Sequence, residues 1–331
     1  MNKTKKSYSQ AIYESFDYLL SNYPEVFVIG QGLWSPWYVG NTMSELEKKY
    51  GESRIIDTPV SESACTGAAI GASICGMKPI ILHPRMDFML YAMDPIINQA
   101  AKWSYMFGGQ SNASVTIRGI INRGGEQGAQ HSQALHSLFA HIPGLRVVMP
   151  STVIDARDLF ISSVLCDDPV LYIDDRWIYE LEEEIPPIEI RDLDNQEPKV
   201  LIPGDKLTIV SCGYLTYLAR KSLNLLKQKN ITNEVELIDL RVLNPLNPQI
   251  IINSVKKTKN LIVIDGGWKN CGMAAEIIAS VTEAIDPNIL KSSPTRICLP
   301  DCPAPTPNIL EEKYYLNEID LAFSIEKILK I

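Results

Sequence analysis

The sequence lacks the features of secreted and membrane proteins. None of its apolar runs approaches the roughly 18 residues that a membrane span needs. The N-terminus, MNKTKKSYSQ, has a few lysines but no apolar core of a signal peptide. The seven cysteines are odd in number and scattered through apolar segments, which favours buried free thiols in a reducing compartment. We therefore expect a cytoplasmic protein.

The chain also has fewer positively than negatively charged residues. The chain has 31 Lys and Arg residues against 39 Asp and Glu, a net charge of −8, and an acidic surface repels phosphate backbones. Nucleic-acid binding is therefore disfavoured. With 46% hydrophobic and 21% charged residues over 331 positions, the composition is typical of a soluble globular protein of about two domains.

Several familiar chemical motifs are missing. The chain has no phosphate loop of the Walker type and no Gly-x-Ser-x-Gly nucleophile elbow. It has only four histidines, and His131, His136 and His141 are five residues apart, so a helix would not present them on one face. Cys298 and Cys302 have no histidine near them. Metal sites of the three-histidine or zinc type are therefore disfavoured.

What the chain does contain is an alternation of short apolar runs with helical patterns, which predicts parallel sheets covered by helices. We predict a first domain over residues 1–180 and a second over 206–331, joined by an acidic, proline-bearing linker over 181–205. The predicted strands of the first domain are 26–30, 54–57, 78–83, 114–122, 145–149 and 170–173. Its predicted helices are 42–50, 61–75, 87–107 with a candidate bend at Pro95, 131–141 and 153–166. The second domain is predicted to have strands at 207–211, 235–240 and 261–265, and helices at 215–229, 248–256, 271–284 and 319–331.

The segment Asp57–Glu62, DTPVSE, places an acid on the first turn of a predicted helix. Ser61 as a helix cap, with Glu62 favourable near the positive helix end, is the simpler interpretation. However, the helix that follows carries Gly67 and Gly71 on one face, which allows close packing against a helix of this chain or of another subunit. Such packing would bury Glu62, and a buried carboxyl is suited to proton exchange.

Two further segments could carry chemistry. His131 follows the glycine-rich stretch 123–128, a loop that lets backbone approach a ligand closely, which makes it the best catalytic candidate among the histidines. The turn 265–272, DGGWKNCG, precedes a predicted helix and could cradle an anion. A plain turn and helix start is the simpler interpretation of that segment.

Taken together, these segments resemble the beta subunit of the thiamine-diphosphate-dependent, decarboxylating component of 2-oxo acid dehydrogenases, of the pyruvate and branched-chain type. The resemblance extends over nearly the whole chain. It is carried by the segments RIIDTPVSE (54–62), DPIINQAAK (94–102), QHSQ (130–133), PGLRVVMPS (143–151), VELIDLRVLNP (235–245), GGWKNCGMAAEI (266–277) and the stretch 301–310. It implies an α/β fold of two doubly wound domains, a transketolase-like pyrimidine-binding domain followed by a transketolase C-terminal domain.

The resemblance also assigns roles to individual residues. Glu62 resembles the glutamate that hydrogen-bonds N1′ of the cofactor's aminopyrimidine and relays a proton there. Phe88 resembles the aromatic residue that packs on the pyrimidine, and His131 the histidine that assists substrate binding and acyl transfer. Ser163, Val164 and Asp168 lie where the family can bind a structural potassium ion, although Cys166 replaces a usual aspartate.

An absent motif implies a partner. Thiamine enzymes hold the diphosphate through Mg²⁺ bound by a Gly-Asp-Gly motif and a later Asn pair, and this chain has neither. The resemblance therefore implies an alpha-type subunit that supplies the Mg²⁺ ligands, in an α₂β₂ assembly, with a lipoyl acyltransferase as a possible further partner.

The sequence departs from the family pattern near the expected active site. The segment Leu82–Asp87 reads LHPRMD, and Gly30-Gln31-Gly32 stands where the family has Gly-Glu-Glu. His83 and Arg85 could bind an anionic or sugar-phosphate substrate, or could equally serve interface packing and a salt bridge. The leading hypothesis is a dehydrogenase beta subunit that passes acyl groups to lipoyl-lysine. The alternatives are a split transketolase-like or acyloin-forming carboligase and a scaffold subunit with a relic site.

Overall fold

The computed structural model describes residues 3–226 and 234–329. Within them, the strands are β1 (Thr4–Ser7), β2 (Val26–Gly30), β3 (Ile55–Asp57), β4 (Lys78–His83), β5 (Thr116–Ile121), β6 (Arg146–Met149), β7 (Val170–Asp175), β8 (Glu182–Ile185), β9 (Lys199–Ile202), β10 (Leu207–Ser211), β11 (Val235–Asp239), β12 (Arg241–Asn244), β13 (Leu261–Trp268) and β14 (Thr295–Leu299). The α-helices are α1 (Tyr8–Asn22), α2 (Leu46–Tyr50), α3 (Glu62–Ile74), α4 (Ala101–Met106), α5 (His136–Ala140), α6 (Val153–Leu165), α7 (Tyr214–Leu226), α8 (Gln249–Thr258), α9 (Met273–Ala284), α10 (Asn308–Tyr314) and α11 (Glu318–Leu329).

The chain forms two compact units. The first contains the chain up to Arg123, His131–Gln196 and Leu243–Pro245, and the second contains Gly124–Gln130, Glu197–Val242 and the chain from Leu246 onward. The predicted α/β fold class is confirmed. Within residues 3–226 and 234–329, no helix is long and apolar enough to cross a membrane.

The first unit is built on a seven-stranded sheet of order β12-β6-β7-β5-β4-β2-β3. The strands from β6 to β3 pair in parallel. The central strand β5 is buried along its whole length, which explains its continuous run of apolar and small residues around Arg118. Helix α1 packs against α6, and α3 packs against β4. In such sheets, functional groups collect at the carboxyl ends of the strands.

The second unit has a five-stranded sheet of order β14-β13-β10-β11-β9, parallel except for β9. Helices α7 and α11 bury one apolar face on it. Their core includes Leu207, Leu218, Leu223, Ile262 and Ile325. Predicted helix ends at Lys229 and Ile331 lie outside the described residues.

One predicted helix differs in type, and two were too long. The segment 87–107 is helical from Met86 to Met106, but it runs as a 3₁₀ turn (Met86–Ala92), a π-helical segment (Pro95–Ala100) that starts at the predicted bend, and α4. The segment 131–141 is helical only from His136, and 42–50 only from Leu46. His131 therefore lies in a turn before a helix and does not open it.

The acidic segment 181–205 contains two short strands. β8 pairs antiparallel with β1, and Lys5 forms an exposed ion pair with Glu182. β9 pairs with β11 at the edge of the second sheet.

The cysteines were expected to be buried free thiols, and this was half right. All seven are free, but only Cys212 is buried, whereas Cys75, Cys271 and Cys302 are exposed.

Candidate active site

A cleft lies in the first unit where β2 and β4 end and α3 begins. Its open volume, which includes solvent outside the protein, is about 240 Å³. It is lined by Gly30, Gln31, Thr58, Pro59, Ser61, Glu62, Cys65, Ile81, Leu82, His83 and Pro84. A water-sized sphere can move through only about 10 Å³ of it, far below the 300–1,000 Å³ or so of pockets that enclose a ligand, so these residues do not enclose a ligand by themselves. Among the described residues, no group of three or more His, Cys, Asp or Glu side chains is placed to hold a metal ion.

Glu62 is the first residue of α3 and lines this cleft. The capping interpretation is half right: Ser61 is the N-cap residue and Glu62 lies in the first turn, but the Ser61 side chain makes no capping hydrogen bond. Glu62 is half-buried within this chain, and its burial against another subunit stays a prediction. The small-residue face of α3 is open: Ala64, Ala68 and Gly71 are exposed, and a Cβ added to Gly71 would meet nothing within 4 Å.

Asp57 fixes the loop on the other side of the cleft. Its Oδ1 accepts hydrogen bonds from the backbone N–H groups of Gly32 at 2.6 Å and Leu33 at 3.1 Å. Gly30 is required where β2 meets β4, because a Cβ there would lie 2.5 Å from the Leu82 carbonyl oxygen. The loop that carries Gln31 is therefore held closely against the cleft.

His83 ends β4, lines the cleft and is 2% exposed. Its Nε2 lies 3.2 Å from the Thr66 hydroxyl on α3. Burial lowers the pKa of His83 to about 4. The imidazole is therefore neutral at pH 7 and offers a hydrogen bond to a ligand, but no positive charge.

The depressed pKa of His83 predicts a pH-dependent stability. In the unfolded chain this histidine gains its proton near pH 6.5, but in the folded chain only near pH 4. Its contribution is therefore complete above about pH 6.5 and is lost as the pH falls toward 4. Between pH 7 and pH 5 we expect the wild type to lose about 2 kcal/mol more unfolding free energy than His83→Gln, measured by urea unfolding. The exposed His141→Gln is the matched control, and parallel pH curves for wild type and His83→Gln would contradict the assignment.

Phe88, His131 and Asp87 form a second group of site residues. The rings of Phe88 and His131 meet edge to face, with centroids 5.3 Å apart. The buried Asp87 accepts hydrogen bonds from the Gln133 backbone at 3.1 Å and from its amide at 2.9 Å. Burial raises the pKa of Asp87, while Gln133 and the nearby His131 oppose that rise. The structure thus brings Phe88 and His131 together and places Asp87 beside them.

The residues predicted to hold potassium have other partners. Asp168 accepts a hydrogen bond from Arg146 Nε at 2.8 Å, and the Ser163 carbonyl accepts one from Thr116 at 3.1 Å. Lys78 Nζ donates to the carbonyls of Leu165 and Cys166 at 3.2 and 3.1 Å. Val164 is buried beside Ser163 in α6. The cation site stays a prediction.

The glycine-rich turn at 265–272 has a structural explanation. Asp265 accepts hydrogen bonds from the N–H groups of Gly267 at 2.9 Å and Ala274 at 3.1 Å. A Cβ at Gly272 would lie 2.3 Å from the Trp268 carbonyl, so only glycine fits at the start of α9. Asp265 takes the place of the capping side chain that Gly272 lacks.

Some site residues were missed by reasoning from the sequence. Gln133 lies in a segment that carried the family resemblance, but nothing indicated its bond to Asp87. Tyr38 and Arg176 meet through the guanidinium of Arg176 and the backbone carbonyl of Tyr38, 138 positions apart. No sequence pattern marks such a pair.

Comparison with known proteins agrees with this architecture. The family described as "Transketolase, pyrimidine binding domain" matches residues 4–179, and "Transketolase, C-terminal domain" matches residues 197–320. The beta subunit of acetoin:2,6-dichlorophenolindophenol oxidoreductase from Cupriavidus necator is 36% identical, over 98% of both chains. This chain belongs to the family of transketolase-like dehydrogenase beta subunits.

Other members of the family are nearly as similar. The pyruvate dehydrogenase E1 component subunit beta of Rickettsia bellii is 35% identical over 92% of both chains. The human mitochondrial subunit is 33% identical over 97% of this chain and 90% of its own. A solved structure described as a split gene transketolase, an inactive beta4 tetramer, has a TM-score of 0.76 over 98% of both chains. At 19% identity, that likeness supports the fold alone.

Proposed function

We propose that this dehydrogenase beta subunit supplies the pyrimidine-binding half of a thiamine-diphosphate site, where a 2-oxo acid is decarboxylated and its acyl group passed to a lipoyl domain. One observation carries the proposal. Glu62 opens α3 and faces a cleft at the ends of β2 and β4. A carboxylate that lines a cleft can exchange a proton with a ring nitrogen bound there.

The residues around Glu62 suit an aminopyrimidine ring. Such a ring needs one carboxyl partner and apolar walls, and the cleft offers Glu62 together with Pro59, Ile81 and Leu82. When bound, thiamine diphosphate supplies the nucleophilic carbon and the electron sink for loss of carbon dioxide. This chain's Glu62 holds and moves the proton at N1′, and Phe88 packs on the ring. His131, whose ring contacts Phe88, assists substrate binding and acyl transfer.

An alpha-type partner subunit completes this proposal. The chain lacks the Gly-Asp-Gly and Asn-Asn motifs that bring the Mg²⁺ ligands. Its α3 leaves Ala64 and Ala68 exposed, and Tyr91 and Tyr105 nearby along the chain are 76% and 91% exposed. Large exposed aromatic side chains are typical of surfaces that another chain covers. The α₂β₂ stoichiometry, the lipoyl acyltransferase and the cytoplasmic location stay predictions.

The experiment has to separate two reaction classes, the dehydrogenase and the carboligase. Their names specify pyruvate and acetoin, a 2-oxo acid and a hydroxy ketone, both cleaved beside a carbonyl group. The carboligase alternative would instead join the same two-carbon unit to an aldehyde, ketone or sugar acceptor. Both reaction classes need the same proton transfer by Glu62, so they are distinguished by the acceptor molecule that receives the two-carbon unit.

We expect the isolated chain to show no turnover and the mixture with its alpha-type subunit to require both thiamine diphosphate and Mg²⁺. The measurement is carbon dioxide release from 2-oxo acids, with a lipoyl domain or a dye as acceptor. Reductive acylation of the lipoyl domain supports the dehydrogenase, whereas carbon–carbon bond formation with an added aldehyde supports the carboligase. Turnover by the isolated chain would contradict the division of the site between two subunits.

A further inference from the structure

Asp87 is a buried acid that the proposed function does not use. It lies in the 3₁₀ turn after β4, two positions after Arg85, whose Nη1 donates to the Pro84 carbonyl at 3.0 Å and whose part in substrate binding stays a prediction. Every third side chain of that turn is buried, namely Met86, Met89 and Ala92. Asp87 is only 5% exposed among them. A buried carboxyl is costly without hydrogen-bond partners, so the partners of Asp87 indicate what it does there.

Asp87 is hydrogen-bonded twice to one residue, Gln133. Its Oδ1 accepts from the Gln133 backbone N–H at 3.1 Å and from the Gln133 side chain, through Nε2, at 2.9 Å. The backbone bond fixes where the chain passes, and the side-chain bond fixes the direction from which it approaches. The other oxygen, Oδ2, is enclosed and has no hydrogen-bond partner within the described residues. Asp87 therefore holds the segment that carries Gln133 through a single oxygen.

That segment also carries His131, two positions before Gln133. His131 lies in a turn, and residues 132–135 form neither helix nor strand. The chain before it is the glycine-rich stretch 123–128, and glycine restrains a backbone least. Local secondary structure therefore does not hold the His131 backbone in place, whereas the two hydrogen bonds to Asp87 hold it from another part of the first unit.

The His131 ring is contacted from the same 3₁₀ turn. Phe88, the neighbour of Asp87, meets that ring edge to face, with centroids 5.3 Å apart. Asp87 and Phe88 thus hold one segment at two points, the first through the backbone and side chain of Gln133 and the second through the His131 ring. A ring contact alone restrains only one point, so the backbone could still shift around it. The hydrogen bonds to Gln133 supply the second point.

We propose that Asp87 is a positioning residue for His131, which holds the turn at 131–133 through Gln133 and so keeps the His131 ring in place beside Phe88. The inference rests on the proposed function, in which His131 assists substrate binding and acyl transfer. Productive geometry has to be kept within about 0.5 Å, which requires supporting hydrogen bonds of this kind. The hydrogen bonds use the lone pairs of Oδ1 and not the charge of Asp87, so an amide in the same place should hold the turn as well.

The first test measures kcat of the enzyme reconstituted with its alpha-type subunit, in whichever assay it is active, lipoyl acylation or carbon–carbon bond formation. Asp87→Ala removes both bonds to Gln133, and we expect it to lower kcat by at least about tenfold. Asp87→Asn keeps an oxygen acceptor and should retain at least about half of the wild-type kcat. Asp94→Ala should retain wild-type kcat. Asp94 is the matched control because it is an exposed aspartate that also accepts two amide hydrogen bonds, from Asn98 and Gln99.

A double-mutant cycle shows whether Asp87 acts through His131. In a His131→Ala background, Asp87→Ala should cause no further loss of kcat, because the ring that it positions is gone. A residue that only supported the fold would lower kcat by the same factor in both backgrounds. Such an additive loss would overturn the positioning role. Loss of kcat in Asp87→Asn as large as in Asp87→Ala would also overturn it, since the charge and not the hydrogen bonds would then matter.

Nuclear magnetic resonance of the isolated full chain tests the position of His131 without turnover. The chain has only four histidines, so single substitutions assign their ring signals. Asp87→Ala should shift or broaden the His131 signal, Asp87→Asn should change it far less, and the signal of the exposed His141 should stay the same in both. This result in a chain that never yields an active enzyme would contradict the proposed function and support the positioning role. A His131 signal that Asp87→Ala leaves unchanged would overturn the positioning role, whether or not the enzyme is active.

Discussion

Replacing Glu62 with glutamine is expected to lower turnover of the reconstituted enzyme by at least about 100-fold. Glutamine keeps the length of the side chain and can still form hydrogen bonds, but it cannot release a proton or take one up. Because Glu62 is half-buried at the start of α3, the substitution should leave the fold intact. The measurement is kcat with saturating thiamine diphosphate, so that weaker cofactor binding does not account for the loss.

The exposed Glu52 provides a matched control for this substitution. Glu52→Gln removes the same charge from the same unit outside the cleft and should retain wild-type kcat. Unfolding midpoints of both variants should stay near that of the wild type. Wild-type turnover by Glu62→Gln would revive the scaffold hypothesis, in which the cleft is a relic.

Replacing Arg118 with leucine is expected to lower the free energy of unfolding by about 3–5 kcal/mol. Arg118 and Asp174 are both fully buried and meet through two bonds of 3.0 and 2.8 Å. Arg118 also donates to the Thr42 hydroxyl at 2.8 Å and the Tyr179 hydroxyl at 3.0 Å. Burial lowers the pKa of Arg118, but Asp174 and Tyr179 outweigh burial and hold it above its usual value. Leucine leaves Asp174 as a buried carboxylate without its cation.

A second variant separates loss of the pair from loss of one partner. The double substitution Arg118→Leu with Asp174→Leu removes both buried charges, so it should be more stable than Arg118→Leu alone. The exposed pair of Lys48 and Glu45 is the control, and Lys48→Ala should have little effect on chemical unfolding. An Arg118→Leu protein within about 1 kcal/mol of wild type would contradict the role given to this network.

The sheets were the most predictable part of the fold. Buried parallel strands are continuous apolar runs, and β2 and β4 begin and end at the predicted residues. The helical run over 87–107 was predicted, but its 3₁₀ and π-helical forms were not, because they depend on packing that is remote in sequence. Met89 lies against Gly119 of β5, where a Cβ would come within 2.6 Å of the Met89 sulfur. No local pattern of residues carries that contact.

The candidate site, like the fold, could be predicted from the sequence only in part. Glu62 and His131 lie in short segments that resemble the family, so the sequence was enough to name them as candidates. The groups that hold the site in shape are paired across long separations. Asp57 binds Gly32 at a separation of 25 positions, and Arg118 binds Asp174 at a separation of 56. Such pairs follow from the strand order, in which β5 and β7 are neighbours, and no local pattern of residues carries that order.

The most direct test of the proposed role of Glu62 is hydrogen–deuterium exchange at C2 of the thiazolium ring of bound thiamine diphosphate. The exchange is measured by acid quenching and NMR in the complex reconstituted with the alpha-type subunit. If Glu62 moves the proton at N1′, wild-type exchange is fast, and Glu62→Gln slows it by at least about 100-fold while Glu52→Gln does not. Exchange that is equally fast in wild type and Glu62→Gln would contradict the claim that this chain supplies the proton-relaying half of the site.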